Sequence, residues 1–256
     1  MNPQGKTALV TGGAVRVGRA LTLALARSGA NVVVHYNSSA GPAEETAAEA
    51  RALGVEALLV QADLSNPEAV AGLVCAVETT FGGVDILVNS ASPFVRKALH
   101  ETTLEDWHFV LGALLDGPFL LAQAFAPGMM RLADQPMARG AGEVGNTNLI
   151  VNILDQSAFA PFPAYLAHSV GKHGLLGLTR NLAVALAPSV RVNAIVPGPV
   201  LPPPDYTPEQ NARIAEKTPL KRWGTPDDVV KALLYFVDAD YVTGDVLFVD
   251  GGERWL

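Results

Sequence analysis

Short β-branched runs alternate with alanine- and leucine-rich amphipathic stretches along the whole chain, and that alternation leaves few folds open. Residues 7–11, 31–35, 57–61, 86–89, 148–154, 191–196 and 246–249 read as strands. They are apolar almost throughout, the pattern of strands covered on both faces. Helical patterns occupy 17–28, 42–53, 67–81, 104–133, 164–187 and 226–238. Helices joining parallel strands require right-handed crossovers, so the expected class is α/β: a doubly wound parallel sheet of about seven strands with helices on both faces. No linker or internal repeat interrupts the rhythm, and residues 1–256 read as a single domain.

Local chemistry marks several helix starts. Ser65-Asn66-Pro67-Glu68 and Thr225-Pro226-Asp227-Asp228 each put a capping residue before a proline, with acids in the first turn. Two segments break the pattern. Residues 134–147 are rich in glycine and read as a surface loop before the fifth strand. Residues 197–208 contain six prolines directly after the sixth strand, and a loop over about 197–220 is expected to cover a ligand there, because open parallel sheets bind at the carboxyl ends of their strands.

The charge balance narrows the partners. A formal net charge of −7 offers no footprint for nucleic acid or an anionic membrane. The N-terminus lacks a secretory pattern and no run reaches bilayer-spanning length, so a cytoplasmic protein with a small-molecule partner is expected. Cys75, the one cysteine, reads as a buried packing residue; no disulfide can form within the chain, and no metal-ligand spacing is present. His35 likewise reads as a packing residue at the end of its strand.

Thr11-Gly12-Gly13-Ala14-Val15-Arg16-Val17-Gly18 lies between the first strand and the first helix. Glycines permit a tight turn there, and helix N-terminal amides can face a pyrophosphate, as in a Rossmann-type nucleotide site. The second strand runs into Tyr36-Asn37-Ser38-Ser39. A site selective for NAD usually offers an acidic side chain near this point. None is present, and the hydroxyls together with Arg16 suit a 2′-phosphate instead, so NADP(H) is the expected cofactor.

With these segments in view the chain resembles the short-chain dehydrogenase/reductase family over essentially its full length. The resemblance rests on residues 11–18, QADLS (61–65), DILVNSAS (85–92), RVNAIVPGPV (191–200) and GDVLFVDGG (244–252). It implies Asp63 and Leu64 at the adenine, Asn89 and Ala91 along the ribose, and Pro197, Gly198 and Val200 near the nicotinamide. Arg16 stands where the family usually has glycine. That substitution, with VHYNSS and VQADLSN, is most similar to the pteridine reductase branch, although Ser38 occupies a place where that branch commonly carries arginine.

Family members typically use an asparagine, a serine and a Tyr-x-x-x-Lys, whose i, i+4 spacing puts both side chains on one helix face. Lys172 matches the lysine and is expected at the ribose. His168 stands at the tyrosine position, Asp155 at the serine position and Leu114 at the asparagine position. Three readings stay open. His168 acts as proton donor, oriented by Asp155; imidazole has an unperturbed pKa near ~6.5, suited to acid–base work at neutral pH. Alternatively Tyr165 supplies the lost phenol, although a tyrosine at that offset lines the substrate pocket in pteridine reductases. In the third reading the original chemistry is gone and the chain binds dinucleotide as a sensor or scaffold. The first implies an NADPH-dependent reductase of a conjugated C=N or C=O substrate, a pterin among them, with Phe94 and Tyr165 at the substrate; a carbonyl reductase or alcohol dehydrogenase is the further alternative. The family also implies a homotetramer, joined through the long fourth and fifth helices and the last strand.

Overall fold

The computed structural model describes residues 1–133, 148–203 and 206–256. The expected surface loop 134–147 lies outside the described residues, as do Pro204 and Asp205 of the proline-rich segment. Seven strands, β1 (Thr7–Thr11), β2 (Asn31–Tyr36), β3 (Ala57–Gln61), β4 (Ile86–Asn89), β5 (Asn148–Ile153), β6 (Val190–Pro197) and β7 (Val246–Val249), form one parallel sheet in the order β3-β2-β1-β4-β5-β6-β7. The order runs outward in both directions from β1 and β4. Their carboxyl ends therefore border the crevice where the crossovers diverge, the place where such sheets bind ligands.

The helices are α1 (Arg16–Arg27), α2 (Ala40–Ala52), α3 (Pro67–Phe81), α4 (Leu104–Leu111), α5 (Gly117–Ala133), α6 (Leu166–Ala185), α7 (Pro208–Lys217) and α8 (Pro226–Asp238). Successive strand residues point to opposite faces. Ala8, Val10, Val32, Val34, Ile86 and Val88 meet Leu21, Leu25, Leu233 and Phe236 on one side. Leu9, Val33, Leu87, Ile150 and Val192 meet Leu73, Val77, Leu121, Phe125 and Met129 on the other. Burying each such Leu, Val or Phe side chain contributes about 1.5–3 kcal/mol, which is why the strands carry so few polar residues.

The helix expected over 104–133 is interrupted. A wide π-turn at Gly112–Asp116 separates α4 from α5. Gly112 and Gly117 flank it because the helix presses on the end of β3: a Cβ at Gly112 would lie 2.7 Å from the Ser65 Cα, and one at Gly117 2.9 Å from the Leu64 Cβ. Leu114, inside the turn, is buried against Gly171 of α6. The stretch Leu104–Arg131 also corrects the expectation that no run is long enough to span a bilayer. Its mean hydropathy is 1.6 over a spanning length, and 56% of that window is buried against the rest of the protein.

Two further expectations are corrected. The segment 197–220 is not wholly a loop: Thr207 caps α7, accepting the Gln210 amide while the Gln210 side chain accepts the Thr207 amide, and Pro208 fills the first turn. This capping box repeats the Thr225-Pro226 signature, but α7 is polar and buries no residue, so periodicity did not reveal it. Cys75 is exposed on α3 rather than buried. Val74 and Val77, its neighbours along the helix, face the core instead.

A polar ladder crosses the core beneath the crevice. Asn89 and Asn152 are in register on β4 and β5; the Asn89 amide donates to Asn152 Oδ1 at 2.8 Å, and the Asn152 amide donates to Thr179 Oγ1 on α6 at 2.9 Å. All three are buried. Replacing Asn152 by Ala strands Asn89 Nδ2 without an acceptor, and an unsatisfied buried donor costs about 1–3 kcal/mol. Asn152→Ala is therefore expected to lower the urea midpoint by that equivalent with an unchanged m-value, whereas Asn152→Asp, which keeps the acceptor, retains the Asn89 bond.

Candidate active site

The carboxyl ends of β1, β2 and β3 and the segments that follow them open onto a cavity of about 310 Å³. Gly12, Tyr36, Asn37, Ser38, Ser39, Asp63, Leu64 and Ala91 all line it. A second cavity of about 350 Å³ lies beside it and shares Gly12, Val15, Ala91 and Ser92 with the first. Arg16, Val17, Gly18, Phe94, Asp155, Lys172 and Pro197 line this second space. The two together form one elongated crevice over the β1–β4 switch point.

Close approach explains the glycines between them. Gly12 has φ +63°, and a Cβ there would lie 3.0 Å from the Ala91 Cα. A Cβ on Gly18 would fall 2.1 Å from the Gly12 carbonyl oxygen. Thr11 ties the opposite rim down, its Oγ1 accepting the Ser90 and Ala91 amides at 2.9 and 3.1 Å. A backbone cradle with no room for a Cβ fits an extended phosphate-bearing ligand such as a dinucleotide.

Arg16 occupies the left-handed region at φ +52°, a conformation natural to the glycine that the family resemblance expects at this position. It lines the second cavity, not the one bordered by Ser38 and Ser39, and its guanidinium donates to the Leu201 carbonyl at 3.0 Å. In this structure Arg16 straps the nucleotide turn to the segment after β6, away from the serines expected with it around a 2′-phosphate.

At the far end of the crevice three polar groups converge, His168 and Lys172 buried and Asp155 half-buried. Asp155 follows β5 and caps a short 3₁₀ turn, its Oδ1 accepting the Ser157 amide at 2.8 Å and also the Ser157 hydroxyl. Its Oδ2 lies 2.7 Å from His168 Nε2. Lys172, one turn along α6, is buried and donates to the Ile153 carbonyl at 2.7 Å. Burial alone would raise the Asp155 carboxyl. The His168 hydrogen bond, the Lys172 and His168 charges and the Ser157 hydroxyl more than offset it and hold the carboxyl well below the usual carboxylate range. Burial pushes the Lys172 ammonium below its ordinary value, and Asp155 opposes that shift.

His168 is fully buried and does not line the cavity. Nδ1 faces the Pro93 carbonyl at 3.1 Å, and the Phe94 ring covers the imidazole with 4.1 Å between centroids. Both ring nitrogens thus face oxygen acceptors, and with Asp155 ionised both contacts are hydrogen bonds only when both nitrogens carry protons. Direct proton donation from His168 to a ligand is corrected on this geometry, since Asp155 stands between them. Tyr165 packs at a tilt behind Phe94, with 4.8 Å between ring centroids, and does not line the cavity, while Phe94 is 56% exposed on its wall.

Other expected positions also shift. Asn89 turns its amide across the sheet to Asn152 and lines neither cavity. Gly198 packs against Asp250, and Val200 lines a third cavity of about 500 Å³ beside the end of β7. Sequence reasoning does not single out Pro93 or Ser157 and reads His35 as packing only; the Asp-x-Ser turn spacing is a signal that could have marked Ser157, whereas no local pattern marks a site role for the other two.

The profile of the family described as enoyl-(acyl carrier protein) reductase matches residues 13–253. The chain belongs to the short-chain dehydrogenase/reductase family. This member is 33% identical to glucose 1-dehydrogenase 2 of Bacillus subtilis, across 97% of its own length and 94% of that protein. It is 34% identical to a 3-oxoacyl-(acyl-carrier-protein) reductase of Synechocystis, across 96% of each. Among solved structures it is similar to FolM alternative dihydrofolate reductase 1 from Brucella canis complexed with NADP, with a TM-score of 0.85 and 33% identity over 100% of this chain and 96% of that one. The family are oxidoreductases that bind a nicotinamide cofactor, and the crevice fits one: its glycine cradle leads to Lys172 and Asp155 at the opposite end.

Two variants test this placement. Gly18→Ala drives a methyl into the Gly12 carbonyl and is expected to abolish dinucleotide binding, with a stability loss of about 1–3 kcal/mol, read by titration calorimetry and thermal melting. Arg16→Gly relieves the left-handed strain of about 1–2 kcal/mol against the added chain entropy of glycine, so a rise in Tm of about 2 °C is expected. Its NADP⁺-to-NAD⁺ affinity ratio is expected to stay unchanged; a fall confined to NADP⁺ would return Arg16 to the 2′-phosphate.

Proposed function

We propose that this short-chain dehydrogenase/reductase is an NADPH-dependent reductase of a planar, conjugated C=N or C=O substrate, a reduced pterin among them, acting in the cytoplasm. The observation that carries the reading is the Asp155–His168 pair, an ionised carboxylate on the cavity wall hydrogen-bonded to a buried ring whose second nitrogen is also engaged. A nicotinamide held in the crevice by the Gly12–Gly18 cradle and Lys172 would supply hydride. Asp155, the member of the pair that faces the ligand, passes on the proton held at His168 Nε2, so a C=N or C=O bond gains hydride at carbon and a proton at the heteroatom. His168 thereby takes the tyrosine's part from behind Asp155. Lys172 spends one of its three protons on the Ile153 carbonyl and keeps two for the ribose hydroxyls. Phe94 offers a flat wall against which a pterin ring would stack.

Preference for NADP(H) is supported by Ser38 and Ser39 on the first cavity, where no carboxylate stands among residues 36–39 to repel a 2′-phosphate. It is also in keeping with the FolM relative solved with NADP. We further expect a homotetramer, because Leu104, Phe119, Val184 and Leu256 leave apolar side chains exposed on the long helices and the C-terminus.

A second reading is favoured by Leu114, which fills the π-turn with an apolar side chain where the family carries a polar one. In it the chain binds NADP(H) as a sensor or scaffold without turnover. The deciding assay follows NADPH consumption with 7,8-dihydropterin and with simple ketones, alongside NADPH affinity. Dihydropterin turnover is expected, with Asp155→Asn and His168→Ala each lowering kcat by at least about 10²-fold while affinity changes little. Tight NADPH binding with no acceptor reduced, and activity gained by His168→Tyr, would favour the sensor. Ketone reduction with indifference to pterins would make the protein a carbonyl reductase instead.

A further inference from the structure

His35, at the end of β2, is 2% exposed, yet it forms part of the wall of the first cavity and contacts two other segments there. Its Nδ1 accepts the Gly12 amide at 3.0 Å, and its own backbone carbonyl accepts the next amide, that of Gly13, also at 3.0 Å. Nε2 faces the Ala62 carbonyl at 3.0 Å, just after β3. An amide can only donate and a carbonyl can only accept. One tautomer therefore satisfies both contacts: the neutral ring with its single proton on Nε2.

We infer that His35 is a positioning residue for the dinucleotide turn, holding Gly12 in place only while its ring is neutral. The inference rests on the reading of this crevice as a dinucleotide site. A proton on Nδ1 would point at the Gly12 N–H, and the clamp would become a repulsive contact. The turn has little room to absorb that: a Cβ at Gly12 would lie 3.0 Å from the Ala91 Cα, and one on Gly18 2.1 Å from the Gly12 carbonyl oxygen. Burial disfavours the charged ring and holds its pKa below the ordinary histidine value, with the Ala62 carbonyl and the Asp63 charge opposing. Asp63 is the charged group facing the ring from the β3 side. The turn after β1 carries one charged residue, Arg16, whose guanidinium reaches away to Leu201. Cofactor affinity tied to neutral His35 is accordingly full near neutral pH and is lost as pH falls through the lowered pKa.

His35→Asn tests this, since its Oδ1 can accept the Gly12 amide and does not titrate. NADP⁺ affinity, measured calorimetrically from pH 8 to pH 4.5, is expected to match within a few-fold at pH 8. Wild type should then lose about tenfold more than the variant toward pH 4.5, the ligand's own phosphate titration being common to both. Parallel pH profiles would overturn the inference. Nitrogen-15 NMR of the His35 ring supplies a second measurement should the variant not fold. A proton on Nδ1 at pH 8, or Nδ1 protonation with no accompanying loss of affinity, would also overturn it. Absence of both NADP⁺ and NAD⁺ binding to wild type at pH 8 would remove the dinucleotide reading itself.

Discussion

A parallel strand cannot be joined to its neighbour by a tight turn, so each connection must cross the sheet, and the right-handed twist fixes the hand of that crossing. Everything distinctive about this protein follows from that constraint. Helices cover both faces, the strands become apolar, and the crossovers diverge at β1 and β4. The crevice at their carboxyl ends has no helix to fill it. Segments leaving β1, β2, β3, β4, β5 and β6 all arrive there, and residues as far apart in sequence as Gly12, Asp63, Ala91, Asp155 and Lys172 border one continuous space.

Polar groups under that crevice are arranged so that each supports another. The Asn89–Asn152–Thr179 ladder satisfies amides that would otherwise be stranded in the core. Asp155, His168 and Lys172 form the corresponding set beside it. Burying any one of them alone would be costly, and removing one partner of such a pair typically costs about 3–5 kcal/mol because it leaves the other uncompensated. Here the carboxylate is balanced by the Lys172 ammonium and hydrogen-bonded to the imidazole, with Ser157 and the Ile153 and Pro93 carbonyls taking the remaining contacts. The outcome is a negative charge held at the wall of the crevice.

Strand positions were legible with errors of one residue, because an apolar β-branched run between polar turns is a local property. The π-turn and α7 were not. The first arises where a helix meets the end of another strand, and the second buries nothing that a periodicity could register. Cys75 went the same way: an apolar-looking helix has a core face and a solvent face, and a residue of ambiguous polarity does not declare which it occupies.

The alternating pattern by itself determined the sheet class and the place of the glycine turn, and the family resemblance implied that Asp155, His168 and Lys172 share one end of the crevice. Only the tertiary structure decided their order. His168 lies behind Asp155 and beneath Phe94, Arg16 reaches Leu201 rather than the serines, and Asn89 turns into the sheet. Spacing along a helix tells which face a side chain shares, whereas the loops that roof that face come from distant strands. Which of two neighbouring side chains meets solvent is set by those loops, and their packing is not written in any local run of residues.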